Sequence, residues 1–412
     1  MFRNEDSGGI GRRKMMGDTV FTGLGLVGVG SGLGGCTTMS DGRPIADPYG
    51  PPPLARVRAS VGRIFDTTVC LRPFRAAGPR LDAEQVGGKL VVHNYGHGGS
   101  GWSLSWGSAE VAVGKAMANS PKEIAVIGCG ALGITAAIHA QHAGAKVTIY
   151  ARDLLPQTRS ARATGSWTPD SRIALADADP AFGDLWEKMA RSSFKTYRRY
   201  LGLPGSPVEW NDRYTGSDTP IDSPHRPNHA AGDPEFASYG ARIRDLTPRS
   251  EKVPAGSTPF AIPYLYRSES MMFNIADLGH TLMLDFFAAG GLFKRMEFNT
   301  PADIANIAES VVIDCTGYGA RALWKDESII PVRGQIAWLI PQAEVTYGLY
   351  YKGVSMLSRK DGIVIQANDR GEGQGYRDAN ETVDRAEAEH GVAVIAQAYA
   401  GFGMPKNCRG PA

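Results

Sequence analysis

This chain of 412 residues has little cysteine, no surplus of either charge and no long apolar run in its body. Its five cysteines, Cys36, Cys70, Cys129, Cys315 and Cys408, are scattered and form neither a CxxC pair nor a zinc-type cluster with histidine. That spacing argues against a disulfide framework. His93 and His97 stand four apart and His139 and His142 three apart; with no acidic or thiol partner beside either pair, no metal is expected. Lysine plus arginine number 44 against 42 aspartates and glutamates, a net charge of +2, so no global field points to nucleic acid or an anionic membrane. No segment reaches the ~18 consecutive apolar residues of a membrane span, and no GxSxG elbow stands between a strand and a helix, which disfavours hydrolase chemistry.

The first 45 residues differ from the rest. Arg12-Arg13-Lys14 precedes a glycine-broken apolar stretch from Thr19 to Gly35, and Leu33-Gly34-Gly35-Cys36 has the look of a lipobox. The pattern resembles a twin-arginine export signal with Cys36 as a candidate lipid anchor, which implies a periplasmic or membrane-anchored protein. The alternative is a disordered Gly-rich leader on a cytoplasmic protein. Asp47 to Pro53 is a linker by composition, since proline removes donors and fixes the backbone.

Two glycine turns dominate the body. Val126-Ile127-Gly128-Cys129-Gly130-Ala131-Leu132-Gly133 closes an apolar strand, Glu123 to Ile127, and opens a helix reaching Ala143, after which a second strand runs from Lys146 to Ala151. This βαβ unit carries GxGxxG in the right place. Gly128 permits the tight turn, Gly130 lets backbone amides approach a pyrophosphate at the helix N-terminus, and Gly133 brings helix and strand close. The acid usually found at the end of the second strand is missing: the strand reads Val147-Thr148-Ile149-Tyr150-Ala151-Arg152-Asp153. Ribose recognition must therefore differ: Arg152 and Asp153 can supply a donor and an acceptor to the adenosine, the alternative being a surface ion pair.

The other turn, His93-Asn94-Tyr95-Gly96-His97-Gly98-Gly99-Ser100-Gly101-Trp102, lies earlier, between a strand ending at Asn94 and a helix from Trp102 to Ala118. Residues 171–270 are rich in Pro, Asp, Arg and Tyr and read as a less regular second domain with one amphipathic helix, Phe182 to Leu201. A helix at Asn274 to Ala289, a strand at Ser310 to Asp314, sheet segments at 336–340, 347–357 and 363–367, and a closing helix at 381–400 complete the reading.

Several segments together resemble the flavin-dependent D-amino-acid oxidase family. They are Tyr150-Ala151-Arg152-Asp153 with Ser160-Ala161-Arg162-Ala163-Thr164-Gly165-Ser166-Trp167, Asp314-Cys315-Thr316-Gly317, Pro331-Val332-Arg333-Gly334-Gln335, Leu71-Arg72-Pro73-Phe74-Arg75 with Gly78-Pro79-Arg80-Leu81, and His93 to Ser103. The order departs from the family's, because the arginine segment and the HNYGHGG loop precede GxGxxG instead of following Arg-Gly-Gln. The chain thus resembles a circular permutant, joined through Ala118 to Lys122 so that the two glycine-turn strands lie side by side.

The resemblance implies an α/β fold with a Rossmann-type FAD-binding domain (70–170 and 295–337) and a mixed-sheet substrate domain (50–69, 171–294 and 338–402). It implies FAD held by Gly128, Gly130, Gly133, Arg152, Asp153, Thr158, Arg159, Ser160, Thr164, Gly165 and Ser166, with Gly98, Gly99, Ser100, Gly101 and Ser103 facing the flavin ring. Arg80 would grip the substrate carboxylate and the Gly99 carbonyl would accept from its amine, while Tyr350 or Tyr351 stands near the place of a carboxylate-binding tyrosine that is otherwise missing. The implied reaction is oxidation of an amino acid of D-configuration, with oxygen as acceptor. A quinone-linked dehydrogenase and a non-catalytic dinucleotide-binding lipoprotein are the alternatives.

Overall fold

The computed structural model describes residues 54–220, 233–254 and 257–400. The twin-arginine stretch, Cys36 and the whole linker lie outside them, as does Cys408. The described residues belong to one compact unit from Pro53 onward, built on two sheets.

Strands β1 (Ile64–Arg75), β2 (Ala83–Val86) and β3 (Lys89–His93) precede helix α1 (Gly101–Ala116), followed by β4 (Glu123–Ile127), α2 (Ala131–His142) and β5 (Lys146–Ala151). Then come α3 (Pro180–Tyr197), β6 (Val208–Ser217), β7 (Glu251–Lys252), β8 (Tyr264–Phe273), α4 (Ile275–Ala288) and β9 (Leu292–Arg295). The chain ends with β10 (Val311–Asp314), α5 (Ala320–Leu323), β11 (Ile329–Leu339), β12 (Tyr347–Tyr351), β13 (Val354–Arg359), β14 (Gly362–Ala367) and α6 (Arg385–Gln397).

The smaller sheet has the order β2-β3-β10-β4-β5-β9. All its neighbours except β2 and β3 run parallel, and four of the five residues of β4 are buried, as expected of a strand covered on both faces. The join at 118–122 links α1 to β4, but β10 lies between β3 and β4 and pairs with both. The two glycine-turn strands are therefore separated by one strand rather than adjacent.

The larger sheet has the order β1-β11-β14-β13-β12-β6-β8-β7 and is antiparallel except where β12 meets β6. The domain limits read from the sequence at 70, 295 and 337 fall inside or at the end of strands: β1 and β11 pair over their whole length in the larger sheet, and β9 belongs to the smaller one. Long cross-strand pairing, absent from any local pattern, sets those limits. β12 and β13 form a hairpin through Lys352 (φ 47°) and Gly353 (φ 77°), the left-handed pair that matches strand twist.

Helix packing fixes the glycine turns. α2 is buried almost all round, packed on the sheet beside α1, whereas α3 starts on Pro180 with the Asp179 carboxylate accepting from the Ala181 N–H at 2.9 Å, a standard N-cap. α1 and α3 approach so closely that a Cβ on Gly107 would sit 2.2 Å from the Met189 carbonyl oxygen. Trp186 and Tyr197 of α3 are fully buried, each worth roughly 1.5–3 kcal/mol or more of apolar burial. No helix among the described residues is long and apolar enough to cross a membrane.

Candidate flavin and substrate site

The carboxyl ends of β3, β10, β4 and β5 open onto one cavity of about 510 Å³. Ligands of open α/β sheets bind at such strand ends, where the topology switches direction. The far wall is made by β1 and β11 of the larger sheet, through Cys70, Arg72, Gly334 and Ile336.

At the β4 end the glycines are held by contacts that leave no room for side chains. Gly128 has φ 97°, and a Cβ there would meet the Cys315 carbonyl oxygen at 2.5 Å; a Cβ on Gly133 would meet the Gly128 carbonyl oxygen at 2.0 Å. A Cβ on Gly130, which lines the cavity, would approach Ser160 Oγ to 2.8 Å. The same hydroxyl accepts from the Ala131 N–H at 3.0 Å, while α2 directs its remaining first-turn amides and its positive end at the cavity. Cys129 is buried, which pushes its thiol up to about 11, so it acts as a neutral filler.

Beyond β5, Arg152 and Asp153 line the cavity together with Glu297, which follows β9. Arg152 donates to Asp153 at 2.8 Å and to Glu297 at 3.3 Å. Glu297 escaped the sequence reading because it comes from a strand 145 residues away. Tyr150 turns its hydroxyl to Glu309, 3.0 Å away, so it takes the place of the missing acid without its function.

Thr158, Arg159, Ser160 and Thr164 also line the cavity. Arg159 lies 5.3 Å from the Tyr318 ring centroid and donates to Glu381 at 2.6 Å. Gly165 and Ser166 do not line it; the Gly165 carbonyl accepts from the Phe273 N–H at 2.7 Å and Ser166 bridges to Met272, so both dock the loop onto β8.

On the other side, Gly98, Gly99 and Gly101 line the cavity at the start of α1, which presents its free amides there. Ser100 and Ser103 are buried and work behind the wall: Ser100 donates to the Ser171 carbonyl at 3.0 Å and Ser103 Oγ accepts from the Thr168 N–H at 2.9 Å. His97, fully buried, donates through Nε2 to Ser108 Oγ at 2.7 Å. That direction follows from Ser108, whose single proton goes to Asn94 Oδ1 at 2.5 Å. Burial holds the His97 ring neutral, with its pKa near 3.

Arg80 is not at the cavity. Its guanidinium is committed to Asp82 at 2.8 Å, Glu84 at 3.0 Å and the Tyr95 hydroxyl at 3.1 Å, a surface cluster beside β2. The arginine of the same segment that does line the cavity is Arg72. Pairing of β1 with β11 puts Cys70 opposite Gly334, and alternation along the strand brings Arg72 to the same face. Its guanidinium lies on Gly334, where a Cβ would sit 2.3 Å from Nη2. Arg72 donates through Nη1 to the Arg333 carbonyl at 3.2 Å and forms no ion pair among the described residues; burial depresses its pKa.

Tyr350 and Tyr351 do not line the cavity either. Tyr351 joins the core on the α6 side of the sheet and donates to Asp218 at 2.7 Å. Tyr350, paired with Ser355, faces the opposite side, toward the cavity, and burial raises its pKa.

A glycine-turn cradle joined to a second sheet that presents a half-buried arginine to the same cavity defines a two-sheet nucleotide-binding architecture. The family model described as FAD dependent oxidoreductase (DAO) matches residues 123–405, and the chain belongs to that family. Among curated relatives, a D-amino-acid oxidase of Dictyostelium discoideum is 29% identical over 217 residues, 51% of this chain and 55% of that one. A D-amino-acid oxidase of Streptomyces coelicolor is 28% identical over 254 residues, 57% and 68%. The match thus spans little more than half the length of the first. The crystal structure of glycine oxidase from Geobacillus kaustophilus is a more distant likeness, with 11% identity and a TM-score of 0.47 over 68% of this chain and 78% of that chain. The cofactor is FAD, and the residues fit it: glycines at 128, 130 and 133 occupy positions that side chains would fill, and the N-termini of α1 and α2 open on one cavity.

Proposed function

We propose that this protein oxidises an amino acid, of D-configuration, to its imino acid, and that Arg72 rather than Arg80 holds the substrate carboxylate. The observation that carries this reading is the half-buried Arg72 guanidinium, backed by Gly334 and with no ion pair among the described residues, in the same cavity as Gly98 and Gly99. A guanidinium facing a cavity with most of its N–H groups unused is matched by a ligand that supplies an anion, and a two-pronged charge-assisted bond would orient the α-carbon.

FAD, when bound, supplies the hydride acceptor, with oxygen as the final electron acceptor. Gly128, Gly130 and Gly133 would hold its pyrophosphate, Arg152, Asp153 and Glu297 its adenosine, and Gly98 to Gly101 its ring. The amide-rich start of α1 favours negative charge where the ring lies. His97, kept neutral by burial, adds no positive charge of its own there.

The reading includes a circular permutation, although its join at 118–122 crosses β10 rather than linking neighbouring strands, against the side-by-side arrangement expected from the sequence. Two facts support it: the family match begins at Glu123, and β1 and β3, which lie before that match, pair with β11 and β10 inside it. It also includes export through the twin-arginine pair with acylation at Cys36, supported by sequence alone and tested by fatty-acid labelling of the wild type against Cys36→Ser.

The test of the activity is the visible spectrum of the purified protein, followed by anaerobic addition of D- and L-amino acids. Bleaching of a flavin band by D-forms supports the proposal. A colourless protein that takes up no FAD, or bleaching by amines that lack a carboxylate and not by amino acids, overturns it.

A further inference from the structure

Behind the cavity, the smaller sheet carries a row of titratable side chains that the site above does not use. Register places them. β10 pairs with β3 so that Asp314 stands opposite His93, and β2 pairs with β3 so that Glu84 stands opposite Val91, diagonal to His93 and on the same face. Three adjacent strands thus present Glu84, His93 and Asp314 side by side.

The links between them are short. His93 Nε2 lies 2.7 Å from Glu84 Oε1 and Nδ1 lies 2.9 Å from Asp314 Oδ2, while Asp314 Oδ1 accepts from the Thr316 hydroxyl at 2.7 Å. His93 and Asp314 are fully buried, the Glu84 side chain is 42% exposed, and Thr316 lines the flavin cavity. A continuous line of hydrogen-bonded side chains therefore runs from solvent to the cavity. Its parts are held in place: Arg80 Nη2 donates to the same Glu84 oxygen at 3.0 Å, Trp324 Nε1 donates to Asp314 Oδ2 at 2.6 Å, and the Tyr95 and Trp324 rings stand edge-on to His93 with centroids 5.5 and 4.9 Å away.

An ionised carboxylate only accepts, and a neutral imidazole donates from one nitrogen alone. With a carboxylate at each nitrogen of His93, the row must hold one proton more than a neutral ring and two carboxylates would carry. Turnover gives such a row a task. An amino acid that arrives in its ammonium form gives up a hydride from the α-carbon and one proton from nitrogen as the imine forms, and oxygen takes up that hydride and one proton to become hydrogen peroxide. One proton leaves the cavity in the first half of the cycle and one returns in the second.

We infer that Thr316, Asp314, His93 and Glu84 form the relay that carries this proton between cavity and solvent. This rests on the amino-acid reading above and adds the proton's route. Outward, Thr316 Oγ1 takes a proton from the cavity as its own hydroxyl proton passes to Asp314 Oδ1, and the His93 Nε2–H bond breaks as Glu84 Oε1 gains the proton and delivers it to water. Inward, each of these bonds is remade in reverse, so a full turnover returns the row to its starting state without rotation of the ring.

The test uses the full-length FAD-loaded protein in weak buffer with a pH-indicator dye, mixed anaerobically with the amino acid that bleaches the flavin fastest among the D- and L-forms. Glu84→Gln still accepts from His93 Nε2 but cannot take up its proton. Below the pKa of the substrate amine it is expected to slow proton release and flavin bleaching together by about tenfold or more, with KM unchanged. Above that pKa, where the substrate brings no extra proton, it matches the wild type, and Glu84→Asp recovers part of the loss. Nitrogen-15 NMR of the histidine-labelled wild-type apoprotein, which needs neither variant nor turnover, is expected to show a bridging proton on both His93 nitrogens. Proton release that does not depend on Glu84, a slowing that persists undiminished above the amine pKa, or a His93 nitrogen without a bridging proton overturns the relay. If bleaching is normal and proton release ignores Glu84, only this inference falls; if no amino acid bleaches the flavin, the underlying reading falls as well.

Discussion

The Arg72 guanidinium lies flat against Gly334, so close that a Cβ on Gly334 would come within 2.3 Å of Nη2. Both residues are on strands paired over their full length, β1 and β11, so neither can easily withdraw. Gly334→Ala is therefore expected to push Arg72 off its platform. It should cost roughly 1–3 kcal/mol of stability as overpacking and raise KM for the substrate by about tenfold or more with a smaller effect on kcat. Steady-state kinetics on the FAD-loaded variant checks this, and an unchanged KM would contradict the placement of Arg72.

Gly133 faces the Gly128 carbonyl at a distance that admits no methyl group. Gly133→Ala must move α2 away from β4 and disturb the amides that face the cavity. FAD affinity is expected to fall about tenfold or more, in line with an overpacking cost of roughly 1–3 kcal/mol. Titration of the apoprotein with FAD, followed by flavin fluorescence, measures it.

Asp314 ends β10 with its carboxylate fully buried and fully used. Oδ2 accepts from Trp324 Nε1 at 2.6 Å and pairs with His93 Nδ1 at 2.9 Å, while Oδ1 accepts from the Thr316 amide at 3.1 Å and hydroxyl at 2.7 Å. Thr316 lines the cavity. Asp314→Ala strands several buried donors at once and is expected to cost about 3 kcal/mol. It should also weaken FAD binding through the released 315–317 turn. Urea unfolding with and without FAD separates the two effects.

His97 gives the fold a pH dependence of definite sign. Burial pushes its pKa down to about 3 from the ordinary imidazole value of 6.5, so between those values the unfolded chain binds a proton that the native state refuses. The stability it contributes is fully present above about pH 6.5 and is lost as pH falls toward 3, at up to about 1.4 kcal/mol per pH unit. His97→Asn should flatten the urea midpoint against pH by one proton in that window. An unchanged slope would rule out a neutral buried imidazole.

The nucleotide-binding part was legible because local pattern decides it. β4 and β5 fall where short apolar runs place them, and α2 opens on GxGxxG. The larger sheet was harder. β1 (IFDTTVCLRPFR) and β6 (VEWNDRYTGS) mix polar and apolar residues, so their sequences lack the clean alternation that marks a strand. Arg72 and Arg80 share one motif-bearing segment, and only the register of β1 against β11 shows that Arg72 points into the cavity. Tyr350 and Tyr351 are adjacent and so face opposite sides of the sheet, a choice fixed by pairing with β13. Arg172 sits in a Pro- and Asp-rich stretch with no period to mark it, and its backbone contact with Gly98, distant in sequence, emerges only in the fold.

The most direct test of the account compares Arg72→Leu with Arg80→Leu in anaerobic reduction of the bound flavin by the best amino-acid substrate. Arg72→Leu is expected to lower kcat/KM by roughly 100-fold or more with FAD still bound, while Arg80→Leu stays within about threefold of wild type, as expected of a surface charge cluster. The reverse pattern, with Arg80 essential and Arg72 dispensable, would contradict the assignment of the substrate carboxylate to Arg72.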